Sequence, residues 1–305
     1  MYFINLALVT FVKILARAEI PAWGYFYNNL IKRFVSDDFW GKMGPRVIRD
    51  KRKKMFFLLD TREWADRLFF LLGRWYDLET LLVMELICEE GDNIADVGAN
   101  YGNFSIVAST LIGKTASIVA FEPNPKAFAR LRTNVDMNRL SNIRLVNAGL
   151  SDKIGTLVLN VPRHNPGEAS FANVEGSDSE TFECAVKTGD EEFADLTVAC
   201  IKIDVEGFEV RVLDGFKTVI ERDRPWIITE VVRTHLQRDG HLPEDLGEVL
   251  DPYGYTPYRI GFSGIGKWKK ISFYPCNLAT EEESDILWVP EARQNTLRAS
   301  GVLAT

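Results

Sequence analysis

A glycine-containing turn is the most informative stretch of this 305-residue sequence. The stretch Asp96–Gly102 (DVGANYG) follows a short apolar segment typical of a buried strand and precedes a segment with helical periodicity. Glycines let the backbone turn sharply and approach a ligand closely, and the first N–H groups of a helix can bind a carboxylate or a phosphate. The turn therefore predicts a small-molecule site, whose candidate binding residues are Asp96, Gly98, Asn100 and Gly102.

An acidic residue at the end of the next predicted strand indicates a nucleoside. Glu122 lies 26 residues after Asp96, where a carboxylate can accept hydrogen bonds from both hydroxyls of a ribose. The dinucleotide fingerprint G-x-G-x-x-G needs a glycine where this sequence has Asn100. Asp96 would also repel a pyrophosphate, but it suits a cofactor with an amino group and a sulfonium. This combination favours S-adenosylmethionine over NAD.

A second charged string ends a later predicted strand. Charged and apolar residues alternate in 202–207 (KIDVEG), and a strand beside the first one in a doubly wound sheet brings its carboxyl end close to Gly98. Charged groups that end a buried strand need partners or ligands, so we assign function to Asp204 and Glu206. The structural alternative is that Glu206 complements a helix dipole and pairs with Lys202.

Methyl transfer to an alcohol needs the acceptor oxygen held in line with the methyl group, and a nearby base assists it. The candidate bases are Asp204, Glu206, Glu230 and His235. His164, in a polar loop, is a weaker candidate, because a plain polar turn explains it. Three of these carboxylates could together hold a divalent cation, as oxygen-rich sites hold magnesium, but we predict that no metal is bound.

Four phrases of the sequence resemble those of the FkbM family of S-adenosylmethionine-dependent methyltransferases. They occur in the family's order and are Asp96–Gly102, Phe121–Pro125 (FEPNP), Leu150–Asp152 (LSD) and Lys202–Glu209 (KIDVEGFE). Four ordered motifs are much more specific than one glycine turn. The resemblance covers roughly residues 75–290. At 188–190 (TGD) the sequence departs from the Leu-Asp pair typical of the family, which leaves the role of Asp190 open.

The resemblance implies an α/β fold of class I methyltransferase type, a Rossmann-like seven-stranded sheet with helices on both faces and a reversed last hairpin. It implies that Gly98, Asn100 and Gly102 line the methionine and ribose moieties, and that Glu122 holds the ribose. The other cofactor-binding residues that it implies are Asn124, Gly149, Asp152 and Asp204. It also implies O-methylation of a carbohydrate, glycolipid or polyketide-like acceptor.

Two alternatives from other functional classes compete with this interpretation. One is an NAD-type dinucleotide-dependent oxidoreductase, which Asp96 and the missing central glycine disfavour. The other is a non-catalytic module that keeps the nucleoside pocket, which is disfavoured because Glu122, Asp204 and Glu206 are all present.

The pattern of apolar residues divides the chain into three predicted parts. Residues 1–75 are predicted to form a helical N-terminal extension, 76–290 the methyltransferase domain, and 291–305 a loose tail. Within the domain, 153–196 is predicted to be an inserted flap built on two antiparallel strands. Seven further strands are predicted at 93–97, 116–121, 143–147, 198–205, 226–232, 255–261 and 286–289. Trp226, Trp268 and Tyr274 are expected in the core or at its rim.

Composition limits the partners and the compartment. With 46% hydrophobic residues the chain can bury a large core, and its net charge of −7 argues against nucleic-acid binding. No long apolar stretch or secretory signal is recognised, and four scattered cysteines indicate a reducing compartment, so we expect a cytoplasmic protein. The basic segment 46–54 (RVIRDKRKK) could contact a membrane peripherally, although a solvated surface is the simpler interpretation. The oligomeric state is left open.

Overall fold

The computed structural model describes residues 2–172, 178–263 and 270–303. The chain divides into two compact units, one of residues 1–78 and 262–270 and the other of residues 79–261 and 271–305. Among the helices that the structure describes, none is long and apolar enough to cross a membrane.

The first unit combines helices with a β-hairpin. Its helices are α1 (Tyr2–Arg17), α2 (Trp23–Phe26), α3 (Lys32–Phe34), α4 (Asp37–Met43) and α5 (Trp64–Leu72), and a π-helical turn covers Tyr27–Ile31. The hairpin pairs β1 (Pro45–Arg49) with β2 (Phe56–Asp60) in antiparallel register. The predicted helical N-terminal extension thus contains helices, and the structure adds a hairpin at 45–60. The basic segment 46–54 forms β1 and the turn, in which Asp50 Oδ1 accepts hydrogen bonds from the N–H groups of Arg52 and Lys53.

The second unit contains eleven strands among the described residues. They are β3 (Ile94–Val97), β4 (Ile118–Phe121), β5 (Ile143–Val146), β6 (Gly149–Leu150), β7 (Gly155–Pro162), β8 (Ser179–Lys187), β9 (Cys200–Ile203), β10 (Trp226–Val232), β11 (Tyr255–Ser263), β12 (Lys270–Pro275) and β13 (Glu283–Pro290). The helices between and after them are α6 (Leu78–Ile87), α7 (Asn103–Ser109), α8 (Pro125–Met137), α9 (Gly189–Glu192), α10 (Glu209–Asp214), α11 (Lys217–Asp223), α12 (Arg233–Leu236), α13 (Pro243–Leu250) and α14 (Gln294–Ala299).

The large sheet has the order β12-β11-β13-β10-β9-β3-β4-β5. β5, β4, β3, β9 and β10 run parallel, and β13 is antiparallel to both β10 and β11. This confirms the predicted class I methyltransferase sheet with its reversed last hairpin. β12 adds an eighth, unpredicted strand at the edge. The order reverses between β3 and β9, so their carboxyl ends form the crevice in which open α/β sheets bind ligands.

Continuous apolar strands explain why the sheet is covered on both faces. Every residue of β3, β4 and β9 is buried, as expected for parallel strands between two helical layers. On one face Phe193 packs between Phe121 and Phe216, with ring centroids 6.0 and 5.7 Å away. Helix α8 begins with Pro125, which suits a first helical position, and its buried face includes Leu131.

A separate three-stranded sheet has the order β6-β8-β7. β8 pairs with β7 in antiparallel and with β6 in parallel orientation. At the C-terminus, 291–305 differs from the loose tail predicted, because α14 forms there and buries Leu297. Trp226 is buried as predicted, whereas Trp268 and residues 173–177 of the flap lie outside the described residues.

Candidate active site

The turn after β3 brings its backbone unusually close to the neighbouring strand. Gly98 has a φ of +79°, and a Cβ added there would lie 1.8 Å from the carbonyl oxygen of Asp204. Gly102 precedes α7 with a φ of +84°, and its added Cβ would lie 2.4 Å from Leu131 Cδ1. Asn100 also adopts a positive φ, of 48°. Two glycines are thus required here, and the turn can present backbone N–H groups to a ligand.

Asp96 lies beneath this turn and contacts protein groups. Its side chain is fully buried, and Ser105 Oγ donates a 2.5 Å hydrogen bond to Oδ2. Lys202 Nζ lies 3.8 Å from Oδ1. Burial raises the pKa of Asp96 above its ordinary value, against the opposing effects of Lys202 and Ser105. Asp96 Oδ1 has no hydrogen-bond partner among the described residues, and the cofactor-binding role of Asp96 stays a prediction.

Glu122 ends β4 beside the same turn. Its Oε2 accepts a 2.7 Å hydrogen bond from the N–H of Asn100, and its Oε1 accepts one of 2.8 Å from the N–H of Asn124. Burial raises the pKa of Glu122 to about 7, even though both hydrogen bonds favour the carboxylate. Each oxygen keeps a further lone pair, so the residue can still accept from ligand hydroxyls. The side chain of Asn124 instead caps α8 by accepting from Lys126 N.

Gly149 and Asp152 follow the end of β5. Gly149 is buried in β6, where an added Cβ would lie 2.4 Å from a ring carbon of Phe171. Partial burial raises the pKa of Asp152, but the hydrogen bond from Ser151 and the charge of Lys153 outweigh it, and the net pKa lies below the usual range. Asp152 is therefore an ionised hydrogen-bond acceptor just after β6.

Three carboxylates converge at the carboxyl ends of β9 and β10. Asp204, Glu206 and Glu230 each offer an oxygen, and these atoms lie within 4.8 Å of one another. The negative charge of Asp204, followed by burial, raises the pKa of Glu230 to about 10. Glu230 therefore carries a proton at neutral pH, which lowers the charge of the cluster.

Lys202 joins the cluster to the turn. Its Nζ lies 2.9 Å from Asp204 Oδ2 and donates to the carbonyl oxygen of Gly98 at 3.3 Å. Burial lowers the pKa of Lys202, but Asp204 and Asp96 raise it more, so the ammonium stays charged. The structural alternative that pairs Lys202 with Glu206 is therefore wrong, since the side chain lies between Asp204 and Asp96.

His235 is brought to Glu206 by the start of α12. Its Nδ1 lies 2.7 Å from Glu206 Oε2, and both side chains are mostly buried. Glu206 has a φ of 57°, and Gly207 follows with a φ of 103° and no room for a Cβ against the carbonyl group of His235. Burial raises the pKa of Glu206, with Asp204 adding to the rise and His235 opposing it. The strained backbone of this loop thus places the Glu206 carboxylate next to the His235 imidazole.

The flap supports this loop from above. Ser170 Oγ donates a 2.7 Å hydrogen bond to the carbonyl oxygen of Glu206, and the ring of Phe171 lies 5.6 Å from that of Phe208. An added Cβ on Gly167 would lie 3.8 Å from Asn100 Nδ2, so the flap also reaches the first turn. His164 is exposed on the flap and is not brought into the cluster.

Two acidic residues have roles that the sequence did not reveal. Glu209 is buried, and its Oε1 accepts from the N–H groups of Gly207 and Val205 at 3.1 and 3.4 Å, which holds the loop. Its position inside the KIDVEGFE string was the available signal. Asp190, whose role was left open, accepts from Thr218 N and Val219 N and so caps α11.

Comparison with known proteins supplies the family. The model of the methyltransferase FkbM domain matches residues 96–257, which contain all four motifs. The chain belongs to this family. The resemblance inferred from the motifs is thus confirmed, and the class of enzyme is methyltransferase rather than dinucleotide-dependent oxidoreductase.

Two relatives within known methyltransferases are partial matches. Hexuronic acid methyltransferase AglP of Haloferax volcanii is 33% identical over 179 residues, which are 57% of this chain and 66% of that protein. Methyltransferase sdnD of Sordaria araneosa is 35% identical over 115 residues, 37% of this chain and 43% of that protein. The chain thus spans less than two thirds of the length of either relative.

Solved structures also align with the chain. Methyltransferase FkbM from Methylobacillus flagellatus aligns with a TM-score of 0.42 at 17% identity, over 89% of this chain and 62% of its own. A SAM-dependent O-methyltransferase from Thermotoga maritima aligns with a TM-score of 0.41 at 12% identity, over 81% of this chain and 78% of its own.

Proposed function

We propose that this FkbM-family protein is an S-adenosylmethionine-dependent O-methyltransferase whose acceptor is a neutral hydroxyl of a carbohydrate-type molecule. The observation that carries the proposal is the convergence of Asp204, Glu206 and Glu230 beside the backbone of Gly98. The proposed nucleoside site and this group of carboxyl side chains would share one crevice of the sheet.

The residues of the first turn fit the donor. S-adenosylmethionine supplies an electrophilic methyl group on a sulfonium. Glu122 can accept from the two ribose hydroxyls, because each of its oxygens uses only one lone pair on a backbone N–H. Asp152 is an ionised acceptor for the adenine side of the site. The backbone carbonyl oxygen of Asp204 faces Gly98, and its partial negative charge is favourable for a sulfonium or an amino group.

Glu206 and His235 are the best-placed groups for the acceptor proton. An alcohol becomes strongly acidic only as its oxygen bonds to the methyl carbon, so a base must already lie within hydrogen-bond reach. Glu206 Oε2 and His235 Nδ1 lie 2.7 Å apart, so the two groups can act together on one acceptor hydroxyl. Glu230, protonated at neutral pH, serves as a hydrogen-bond donor rather than a base.

The charge of the cluster favours a neutral acceptor. Lys202 is already paired with Asp204, and Glu230 carries a proton, so the cluster offers no excess positive charge to a substrate carboxylate, whereas its oxygens can accept hydrogen bonds from sugar hydroxyls. The name of AglP, a hexuronic acid methyltransferase, supports a sugar acceptor. We therefore expect an ether product on a sugar ring rather than a methyl ester.

Metal dependence and location belong to the same proposal. Lys202 already neutralises Asp204, and Glu230 holds a proton, so we expect transfer without a divalent cation although the cluster has the geometry to bind one. The four cysteines are unpaired, which suits a reducing cytoplasm.

The test is transfer from methyl-labelled S-adenosylmethionine to neutral sugars, uronic acids and their glycosides. We expect an alkali-stable O-methyl ether on a hydroxyl. We also expect that Glu206→Gln and His235→Asn each lower kcat by about 100-fold, within the range for general-base removal, while leaving the affinity for S-adenosylhomocysteine unchanged. An alkali-labile ester, or full activity of both variants, would contradict the proposal.

A further inference from the structure

Helix α1 of the first unit has two apolar faces, and only one of them is covered. Its buried residues, Asn5, Val9, Val12 and Ala16, recur at helical spacing and form the packed face. The large apolar side chains on the rest of the helix are exposed, and they are Tyr2, Phe3, Ile4, Leu6, Phe11 and Ile14. Phe3 is 81% exposed and Ile14 is 63% exposed. A continuous apolar surface of this kind marks an interaction site.

Basic residues border the C-terminal end of this exposed face. Arg17 ends the helix and is exposed, whereas Lys13 turns its ammonium to the packed side, 3.8 Å from the ring centroid of Phe70. Lys51 Nζ donates a 2.8 Å hydrogen bond to the carbonyl oxygen of Arg17, so the hairpin turn with its four consecutive basic residues, 51–54, lies next to that end. The surface therefore combines an apolar helix face with a rim of net positive charge, in which Glu19 pairs with Lys51 at 2.8 Å.

The two parts of the sequence differ strongly in charge. Residues 1–78 contain 14 Lys and Arg but 8 Asp and Glu, a net charge of +6, whereas residues 79–305 contain 22 Lys and Arg and 35 Asp and Glu, a net charge of −13. A positively charged surface is complementary to an anionic partner. A second copy of the same surface would meet it with like charge, which disfavours a symmetric contact through this face.

We propose that the exposed face of α1 and the basic turn 51–54, together called the α1 surface, bind an anionic lipid bilayer. An amphipathic helix lies in the headgroup region with its apolar side chains among the acyl chains, and basic residues add attraction to anionic lipids. The packed face of α1 stays on its own unit, so the helix lies along the bilayer surface. The inference concerns this unit alone and does not depend on the proposed reaction.

The test is flotation of the full chain with vesicles of phosphatidylcholine alone and of phosphatidylcholine mixed with phosphatidylglycerol. We expect flotation only with the anionic vesicles and its loss at about 1 M salt, where charges are screened within about 3 Å. Phe3→Gln combined with Ile14→Gln should weaken binding at least about 10-fold. Arg52→Gln combined with Lys54→Gln should weaken it about 10-fold or more.

Matched control variants distinguish binding through the α1 surface from nonspecific binding to vesicles. Ile154→Gln with Val158→Gln removes two exposed apolar side chains of the second unit, and Lys114→Gln with Arg132→Gln removes two exposed charges there. Both controls should float like the wild type, and circular dichroism should match for all variants.

Three results would overturn the proposal. They are an absence of flotation with anionic vesicles, equal flotation with phosphatidylcholine alone, and wild-type flotation of the variant at Phe3 and Ile14. A dimer in analytical ultracentrifugation that this variant dissociates without lipid would likewise replace the bilayer by a second copy of the chain.

Discussion

Replacing Gly98 by alanine tests the closest approach in the candidate site. The added Cβ would lie 1.8 Å from the carbonyl oxygen of Asp204, whereas real Cβ contacts below 3.0 Å essentially do not occur. One of the two loops must therefore move by about 1.2 Å, since packed interiors have no spare volume. The φ of +79° adds the strain of a left-handed alanine, about 1–2 kcal/mol.

Gly240 provides a control that isolates the backbone strain. Its φ of +83° nearly equals that of Gly98, but an added Cβ meets no heavy atom within 4 Å. Gly240→Ala should therefore destabilise the fold by about 1–2 kcal/mol. Gly98→Ala should cost a further 1–3 kcal/mol or so for overpacking. Urea denaturation measures both values.

The same displacement should also lower kcat. Because the clashing oxygen belongs to Asp204, a shift of about 1 Å moves the carboxylate cluster, and misplacement on this scale lowers kcat by about 100-fold. Calorimetry with S-adenosylhomocysteine should show weaker binding for Gly98→Ala and wild-type binding for Gly240→Ala. If both variants lost equal stability and bound alike, the inferred contact between β3 and β9 loops would be refuted.

Three further predictions concern titration, base catalysis and metal. The pKa of Glu122 is raised to about 7, so the carboxylate that accepts from ribose hydroxyls becomes protonated as the pH falls through that value. S-adenosylhomocysteine should therefore bind about 10-fold more weakly at pH 6 than at pH 8. In calorimetry, the affinity of Glu122→Gln should not change over this pH range. In pH–rate profiles, Glu206→Gln should lower kcat while leaving KM for the donor unchanged, because the residue acts only on the acceptor proton; an unchanged profile would exclude Glu206. Treatment with EDTA should leave initial rates within about twofold, and a rate restored only by magnesium would show that the carboxylate cluster binds a required cation.

The sequence predicted the parts of the fold that repeat a regular pattern. Fully apolar strands such as Ile94–Val97 and the glycine turn after it mark a parallel sheet and its crevice, because both depend on local rules. Asp204 and Glu122 were assigned correctly to strand ends at that crevice. Their approach to Gly98 and Asn100 could be inferred from the order of the strands.

Features that depend on long-range contacts could not be predicted. Ser170 meets Glu206 only because the flap folds over the loop. Asp96 is buried where Ser105 donates to its Oδ2 and Lys202 lies 3.8 Å from its Oδ1. The hairpin at 45–60 lacks clear alternation on its first strand, and its turn is dominated by charge rather than by glycine. Such long-range contacts produce no characteristic residue spacing in the sequence.

Identifying the methylated atom shows whether the enzyme methylates a neutral hydroxyl. Carbon-13 methyl-labelled S-adenosylmethionine is incubated with the wild-type chain and with Glu206→Gln, in the presence of matched neutral and uronic sugars, and the product is assigned by NMR. We expect an O-methyl ether on a neutral hydroxyl, formed about 100-fold more slowly by the variant. A methyl ester on a uronate, or equal rates for the two proteins, would contradict this expectation.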